Sequence, residues 1–262
     1  METHYVAFDV ETTGLSAAYG DRICEVGMVI AQGDEVLETY QSLVNPQRPI
    51  SPGASRVNGL NDSDVCDAPL FAEIAEPVLS RVNGAVLICH NAPFDLAFLD
   101  AELARLNRPW QPAGVIDTLA LARQYFNFDS NSLPAIAARL EIKTPESHRA
   151  LSDALTTFEV YRYFRHRLAI NRLADEEDLA GSYTPAYRLA DEEALPPSIQ
   201  EALAGGKRLE IIYIDSNGQQ TCRQITPRHV IQEHDYIYLV AYCHLRQAER
   251  HFRLDRIVAI NT

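Results

Sequence analysis

Apolar positions cluster from the start of the chain. YVAFDV (5–10) reads as a buried strand that runs on through Glu11 into the turn-forming Thr12, Thr13 and Gly14. ICEVGMVIA (23–31) and VLETYQSLV (36–44) read as two further strands, and QGDE between them predicts a hairpin. The Pro-, Gly- and Asn-rich stretch NPQRPISPGASRVNGLND (45–62) reads as a loop. LFAEIAEPVLSRV (70–82) has helical spacing despite Pro77, and AVLICHN (85–91) is a buried strand running into the amphipathic helix APFDLAFLDAELARLN (92–107). GVIDT (114–118) is a short strand. LALARQYF (119–126), LPAIAARLEI (133–142) and a long stretch from about Ala150 to Leu173 are helical. A strand meander followed by alternating helices and strands predicts an α/β fold around a mixed sheet.

Beyond Leu173 the pattern changes. RLADEE occurs at 172–177 and again at 188–193, two copies being too few for a repeat architecture. Residues 173–195 therefore read as an acidic linker between a domain at 1–172 and a smaller one at 196–262. In the latter, PPSIQEALAGG (196–206) is a short helix ending on glycine. RLEIIYID (208–215), CRQITPRHVI (222–231), DYIYLVAYCHL (235–245) and HFRLDRIVAI (251–260) read as four or five short strands of a small all-β, barrel-like module.

Composition sharpens this picture in four ways. A hydrophobic content of 47% with 23% charged residues is that of a globular chain able to bury a core. No apolar run approaches the ~20 residues needed to span a bilayer, and METHYVAFDV lacks the basic-then-apolar start of a secretory signal. The cysteines (Cys24, Cys66, Cys89, Cys222, Cys243) are odd in number and form no C-x-x-C pair, so a reducing cytoplasm is expected. The net charge of −13 is uneven: residues 205–262 carry eight Lys and Arg against six acids, which leaves −15 for the rest. So acidic a body argues against tight, non-specific duplex binding. It permits an enzyme that grips a short single-stranded end with the help of cations.

The candidate chemistry lies where acids interrupt apolar runs. Asp9 and Glu11, one residue apart on a strand, emerge on the same face, where two like charges need a shared proton, a base or a cation. Taken alone, they could be solvated acids at a strand end. Asp95 sits within NAPFDLAFL, and Asp153 within RALSDAL with His148 just upstream. Asp95 could pair with a nearby base, and Asp153 with Arg149 at i−4. Taken together, four carboxylates from a strand and two helices form the oxygen set that suits two Mg²⁺ (or Mn²⁺) ions. A neutral His148 beside them could accept a proton from water.

FDVETTGL, HNAPFDLAFL and HRALSDA resemble, in order and spacing, the three motifs of the DEDDh exonucleases. That superfamily contains the proofreading epsilon subunit of bacterial replicative polymerase and RNase T. The resemblance covers roughly residues 1–170. It implies a ribonuclease H-like fold and two-metal hydrolysis of nucleotides from a 3′ end. Asp9, Glu11, Asp95 and Asp153 would be metal ligands, and His148 the general base. Thr12, Thr13 and Leu15 would meet the terminal nucleotide, and Asn91 and Phe94 would line the same pocket, although Leu15 and Phe94 also suit ordinary core packing. Asp117 would be structural. Single-stranded DNA is the expected substrate, with RNA 3′-end trimming as an alternative. Relatives of this kind pair as homodimers or attach to a polymerase, and no membrane is implied.

LEIIYID, the Pro227-Arg228 turn, IYLVAY and HFRLDRI resemble a WYL domain, with Ile237 where the name-giving Trp would stand. That resemblance implies an Sm-like barrel that binds nucleotides or nucleic acid and regulates its neighbour. Arg223, Arg228, Arg246, Arg250, Arg253 and Arg256 would contact phosphates, and Tyr236, Tyr238 and Tyr242 would stack bases. Alternating arginines that merely keep a sheet edge soluble would look the same in sequence. A non-catalytic nucleotide sensor is the reading from another class, and the complete acidic set speaks against it.

Overall fold

A computed structural model describes residues 4–17, 20–143, 149–171, 179–183, 188–189, 195–215, 219–233 and 236–261. Over these residues the chain forms two compact units. The first is built on a five-stranded sheet in the order β3-β2-β1-β4-β5. β1 (His4–Thr12), β2 (Ile23–Gln32) and β3 (Glu35–Leu43) form the expected antiparallel meander. The turn between β2 and β3 passes through Gly33 at φ +58°, a left-handed value that glycine adopts without strain. β4 (Val86–Cys89) and β5 (Gly114–Asp117) continue the sheet in parallel, so the sheet is mixed.

The stretch 45–62, expected to be a loop, instead contains two short helices, α1 (Pro52–Asn58) and α2 (Asp62–Val65). The residues that suggested a loop are helix punctuation. Ser51 Oγ accepts the Ala54 N–H at 3.2 Å, Pro52 occupies the first helical position, and Gly59 at φ +72° ends α1. The remaining helices fall where periodicity placed them: α3 (Phe71–Val82), α4 (Ala92–Arg105), α5 (Thr118–Tyr125), α6 (Leu133–Arg139) and α7 (Ala150–Asn171).

The long helix α7 seals one face of the sheet. Its Phe158, Tyr161 and Phe164 are fully buried in a cluster with Tyr5, Ala7, Val29, Ala31, Ile88 and Ile116. Each such aromatic contributes roughly 2–3 kcal/mol of burial. The first turn of α7 comes down onto β2 at Gly27. A Cβ at that position would lie 2.2 Å from the Ala150 carbonyl carbon and 2.2 Å from the Leu151 nitrogen. Only glycine permits that approach.

In the second unit, α8 (Pro197–Gly205) packs on antiparallel strands β7 (Leu209–Ile214), β8 (Gln220–Glu233), β9 (Tyr236–Cys243), β10 (Ala248–Arg253) and β11 (Ile257–Asn261). Their order is β10-β9-β8-β7-β11, and the two-residue β6 (Arg188–Leu189) pairs with β8. Pro227 lies at a register shift within β8 rather than at a turn. HFRLDRIVAI is not one strand. A 3₁₀ turn at Leu254–Arg256 breaks it, sending β10 to pair with β9 and β11 to pair with β7. Ile199, Leu209, Ile211, Ile225, Leu239 and Phe252 fill the core of this antiparallel sheet.

Most of the 173–195 stretch, expected as a linker, lies outside the described residues. Its described parts are pinned. Gly181 exchanges two 2.9 Å backbone hydrogen bonds with Val115, Leu179 is buried in the cluster under α7, and Leu195 is buried with α8 and β7.

Candidate active site

The site begins with strand register. In the β1–β2 ladder Asp9 lies opposite Gly27 and Glu11 opposite Glu25, so all four share the face that α7 covers. Val10 and Thr12 alternate to the other face and are buried. Asp153, in the first turn of α7, completes a group. Carboxylate oxygens of Asp9, Glu11 and Asp153 all lie within 4.8 Å of one another.

At 4.8 Å two full negative charges repel by ~3–4 kcal/mol in a medium of effective dielectric ~20. Burial and the neighbouring carboxylates therefore favour protonation. Burial, then Asp153 and Glu25, pushes the Glu11 carboxyl up to about 8 from an ordinary 4.5. Burial, then Asp95, Glu11 and Asp153, raises Asp9 well above the usual carboxylate range. An oxygen-only donor set this crowded suits Mg²⁺ or Mn²⁺, because a bound cation replaces the protons that would otherwise neutralise it.

Asp95 stands beside this group. The β1–β4 register covers only Tyr5 to Ala7, so further along β1 loses its parallel neighbour. There Asp95 Oδ1, from the first turn of α4, accepts the Val10 N–H at 3.1 Å. Asp95 is 3% exposed, and burial raises its pKa well above the ordinary value although the Val10 N–H opposes the rise. The turn that delivers it is tied down twice. Asn91 sits at φ +76°, with its N–H donated to Asp117 Oδ1 at 3.0 Å, and Asp117 also caps α5 through the Leu119 N–H at 2.9 Å. His90 is held between Thr118 Oγ1 at 2.9 Å and the Asn131 carbonyl at 3.0 Å.

The residues expected to meet substrate are placed differently from one another. Leu15 is 87% exposed, Asn91 is exposed, and Phe94 is half-buried with its ring 5.1 Å from that of Phe98. Thr12 and Thr13 are buried. Thr12 Oγ1 donates to the Gly14 carbonyl at 2.6 Å, and Thr13 Oγ1 accepts the Arg22 N–H at 3.0 Å. His148 lies outside the described residues.

In the second unit, Arg223 and Arg250 line a cavity of about 250 Å³ together with Arg246, Asp215, Cys243, Tyr213, His251 and Phe252. Other candidates there are engaged by acids. Arg228 lies 3.6 Å from Glu249, while Arg253 pairs with Asp255 at 2.6 Å and stacks over the Tyr236 ring. Arg256 and Tyr238 are half-buried, the latter beside the His251 ring.

Sequence reasoning missed two contributors. Asn58, delivered by α1, donates to the Thr12 carbonyl at 3.3 Å and favours the ionised form of Glu11, and it lies in the stretch that reads as a loop. Glu25, fully buried in β2, accepts from Arg149 and Gln41. The signal that drew attention to Asp95, an acid inside an apolar run, is equally present in ICEVGMV.

Comparison with known proteins gives the family of each part of the chain. The sequence profile of the family described as Exonuclease (RNase T) matches residues 6–161, and that of the WYL domain matches residues 195–262. The DNA polymerase III epsilon subunit of Escherichia coli K12 is 36% identical over 170 residues, covering 61% of this chain and 70% of that protein. The PolC-type DNA polymerase III of Caldanaerobacter subterraneus is 38% identical over 162 residues, 62% of this chain but only 11% of the polymerase. Against the epsilon-like protein of Rhodobacter capsulatus the match spans 23% of the relative's length. Among solved structures, exonuclease X in complex with 5′-overhanging duplex DNA superposes with a TM-score of 0.52 at 25% identity, covering 68% of this chain and 97% of that one. Escherichia coli exonuclease I bound to a dT13 oligonucleotide gives 0.58 at 16% identity, covering 91% and 55%, a likeness of fold. Through residues 6–161, which carry the clustered carboxylates, the chain belongs to the RNase T-type exonuclease family.

Proposed function

We propose that this chain hydrolyses nucleotides from the 3′ end of single-stranded DNA, using divalent cations held by Asp9, Glu11, Asp153 and Asp95. The observation that carries the reading is the convergence of Asp9, Glu11 and Asp153 within 4.8 Å, where burial and the neighbouring carboxylates disfavour the ionised forms of Asp9 and Glu11. Cations bound there would supply a lowered water pKa and charge neutralisation at the scissile phosphate.

The chain's own groups do the rest. Asp95, buried and fixed by Val10, borders Asp9 and completes the oxygen set. His148 directly precedes Arg149 and α7, and in its neutral form would accept the proton of the attacking water. Leu15, largely open to solvent just after β1, would pack against the terminal base, and Phe94 and Asn91 would line the same pocket. That the exonuclease X structure, at 25% identity, is a complex with 5′-overhanging duplex DNA supports DNA as the polymer. In the second unit, Arg223, Arg246 and Arg250 around one cavity, beside Tyr213 and Phe252, support a role in holding single-stranded nucleic acid.

The test is degradation of 5′-labelled single-stranded DNA and RNA oligonucleotides with Mn²⁺ or Mg²⁺. Asp9→Ala and Asp153→Ala should abolish shortening from the 3′ end. His148→Ala should lower the rate ~10²–10⁴-fold while Mn²⁺ binding persists. Unchanged digestion by the two aspartate variants would refute the site.

A further inference from the structure

Glu25 is a fully buried carboxylate that the proposed chemistry does not use, and it carries an unusual load of hydrogen bonds. Its Oε1 accepts Arg149 Nη2 at 2.7 Å, Arg149 Nε at 3.2 Å and Gln41 Nε2 at 2.7 Å. Its Oε2 accepts Arg149 Nε at 3.0 Å and the Ala150 backbone N–H at 3.2 Å. One side chain thus holds both the guanidinium of Arg149 and the first backbone N–H of α7.

These contacts fall at the point where α7 meets the sheet. Two residues along the same face of β2, Gly27 lets the Ala150–Leu151 backbone approach within 2.2 Å of where a Cβ would stand. One turn later the Asp153 N–H donates to the Arg149 carbonyl at 3.0 Å. In the chain, His148 immediately precedes Arg149.

The placement also costs something that packing alone would avoid. Glu25 lies directly opposite Glu11 in the ladder, and like charges there destabilise a sheet. Arg149, reaching over both, offsets that repulsion, since its charge favours the ionised form of Glu11. An apolar residue at 25 would fill the strand without this conflict. A carboxylate gains only the grip on α7.

We infer that Glu25 is a positioning residue of the exonuclease reaction: through Arg149 and the Ala150 N–H it fixes the first turn of α7, and so sets Asp153 against Asp9 and Glu11. This rests on the exonuclease reading above. Gln41 steadies Glu25 from β3, so the constraint runs across three elements.

Glu25→Gln places an NH₂ group against the guanidinium or the Ala150 N–H and breaks the grip with little change in volume. Arg149→Lys, at a half-exposed side chain, keeps the charge but loses the two-pronged contact. Both would be assayed on a single-stranded DNA oligonucleotide at saturating Mn²⁺, with folding checked by thermal melting and Asp9→Ala as the inactive control. A sub-ångström to ångström displacement of Asp153 should lower kcat by ~10–100-fold, with KM for DNA changed less than ~3-fold. Glu25→Gln combined with Arg149→Lys should be no slower than the slower single variant, because both remove one contact. If both folded single variants keep kcat within ~3-fold of wild type, or if their losses multiply in the double variant, the positioning role is refuted. Equal activity of wild type and Asp9→Ala would instead overturn the underlying exonuclease reading.

Discussion

Replacing Glu11 by glutamine should make the metal-free protein more stable at alkaline pH while destroying its activity. Glu11 titrates at an ordinary 4.5 when unfolded and at about 8 in the fold, because it is buried beside Asp153 and Glu25. A raised folded value means that the native state binds the proton more tightly than the unfolded chain. The stability contributed by the protonated group is therefore whole below about pH 4.5, and is lost as pH rises through about 8. At pH 8 that loss comes to ~4 kcal/mol at most, and to ~2–4 kcal/mol once partial solvent access is allowed for. At pH 5 it is ~1 kcal/mol or less. Glutamine carries no charge to desolvate and has nearly the same volume.

Thermal melting in EDTA should therefore show Glu11→Gln above wild type by roughly 5–12 °C at pH 8, and by a few degrees or less at pH 5. Adding Mn²⁺ should raise the wild-type melting temperature at pH 8 and narrow the gap, since the cation takes over the role of the proton. A variant no more stable than wild type at pH 8 in EDTA would refute the claim that Glu11 is held at an electrostatic cost. So would a gap that grows towards acid pH.

Two further outcomes follow from the geometry. Gly27→Ala drives a methyl into the Ala150–Leu151 backbone and should cost at least ~1–3 kcal/mol while reducing turnover, read by melting and by the oligonucleotide assay; retention of both would mean that α7 does not rest on β2. Arg223→Ala and Arg250→Ala should each weaken single-stranded DNA binding and lower the slope of log affinity against log salt by about one, measured by fluorescence anisotropy, and unaltered slopes would leave these arginines a solubility role.

How much of this was legible in the chain can be judged residue by residue. The two-residue spacing of Asp9 and Glu11 fixes them on one face of any strand, because side chains alternate there. Apolar periodicity likewise placed the meander and the helices, although punctuation misled at 45–62: Ser51, Pro52 and Gly59 bound a helix as readily as they bound a loop. In the C-terminal unit, four or five strands are expected, and the sequence leaves open whether HFRLDRIVAI is one strand or two. Its break at Leu254–Arg256 depends on which neighbours each half finds, and local propensity does not encode that.

What the sequence settled by itself, then, is local: the type of most elements, the shared face of Asp9 and Glu11, and the family to which the motifs belong. Distances belong to the tertiary structure. Asp153 meets Asp9 and Glu11 because Gly27 admits α7 to the sheet, and Asp95 is turned to Val10 because β4 ends where β1 continues. Glu25 and Arg149 are 124 residues apart, and no period or motif spans that separation. Their meeting, and the charge placed opposite Glu11, arise only when strand register and helix docking are fixed together, since register decides which side chains oppose and packing decides how closely they lie.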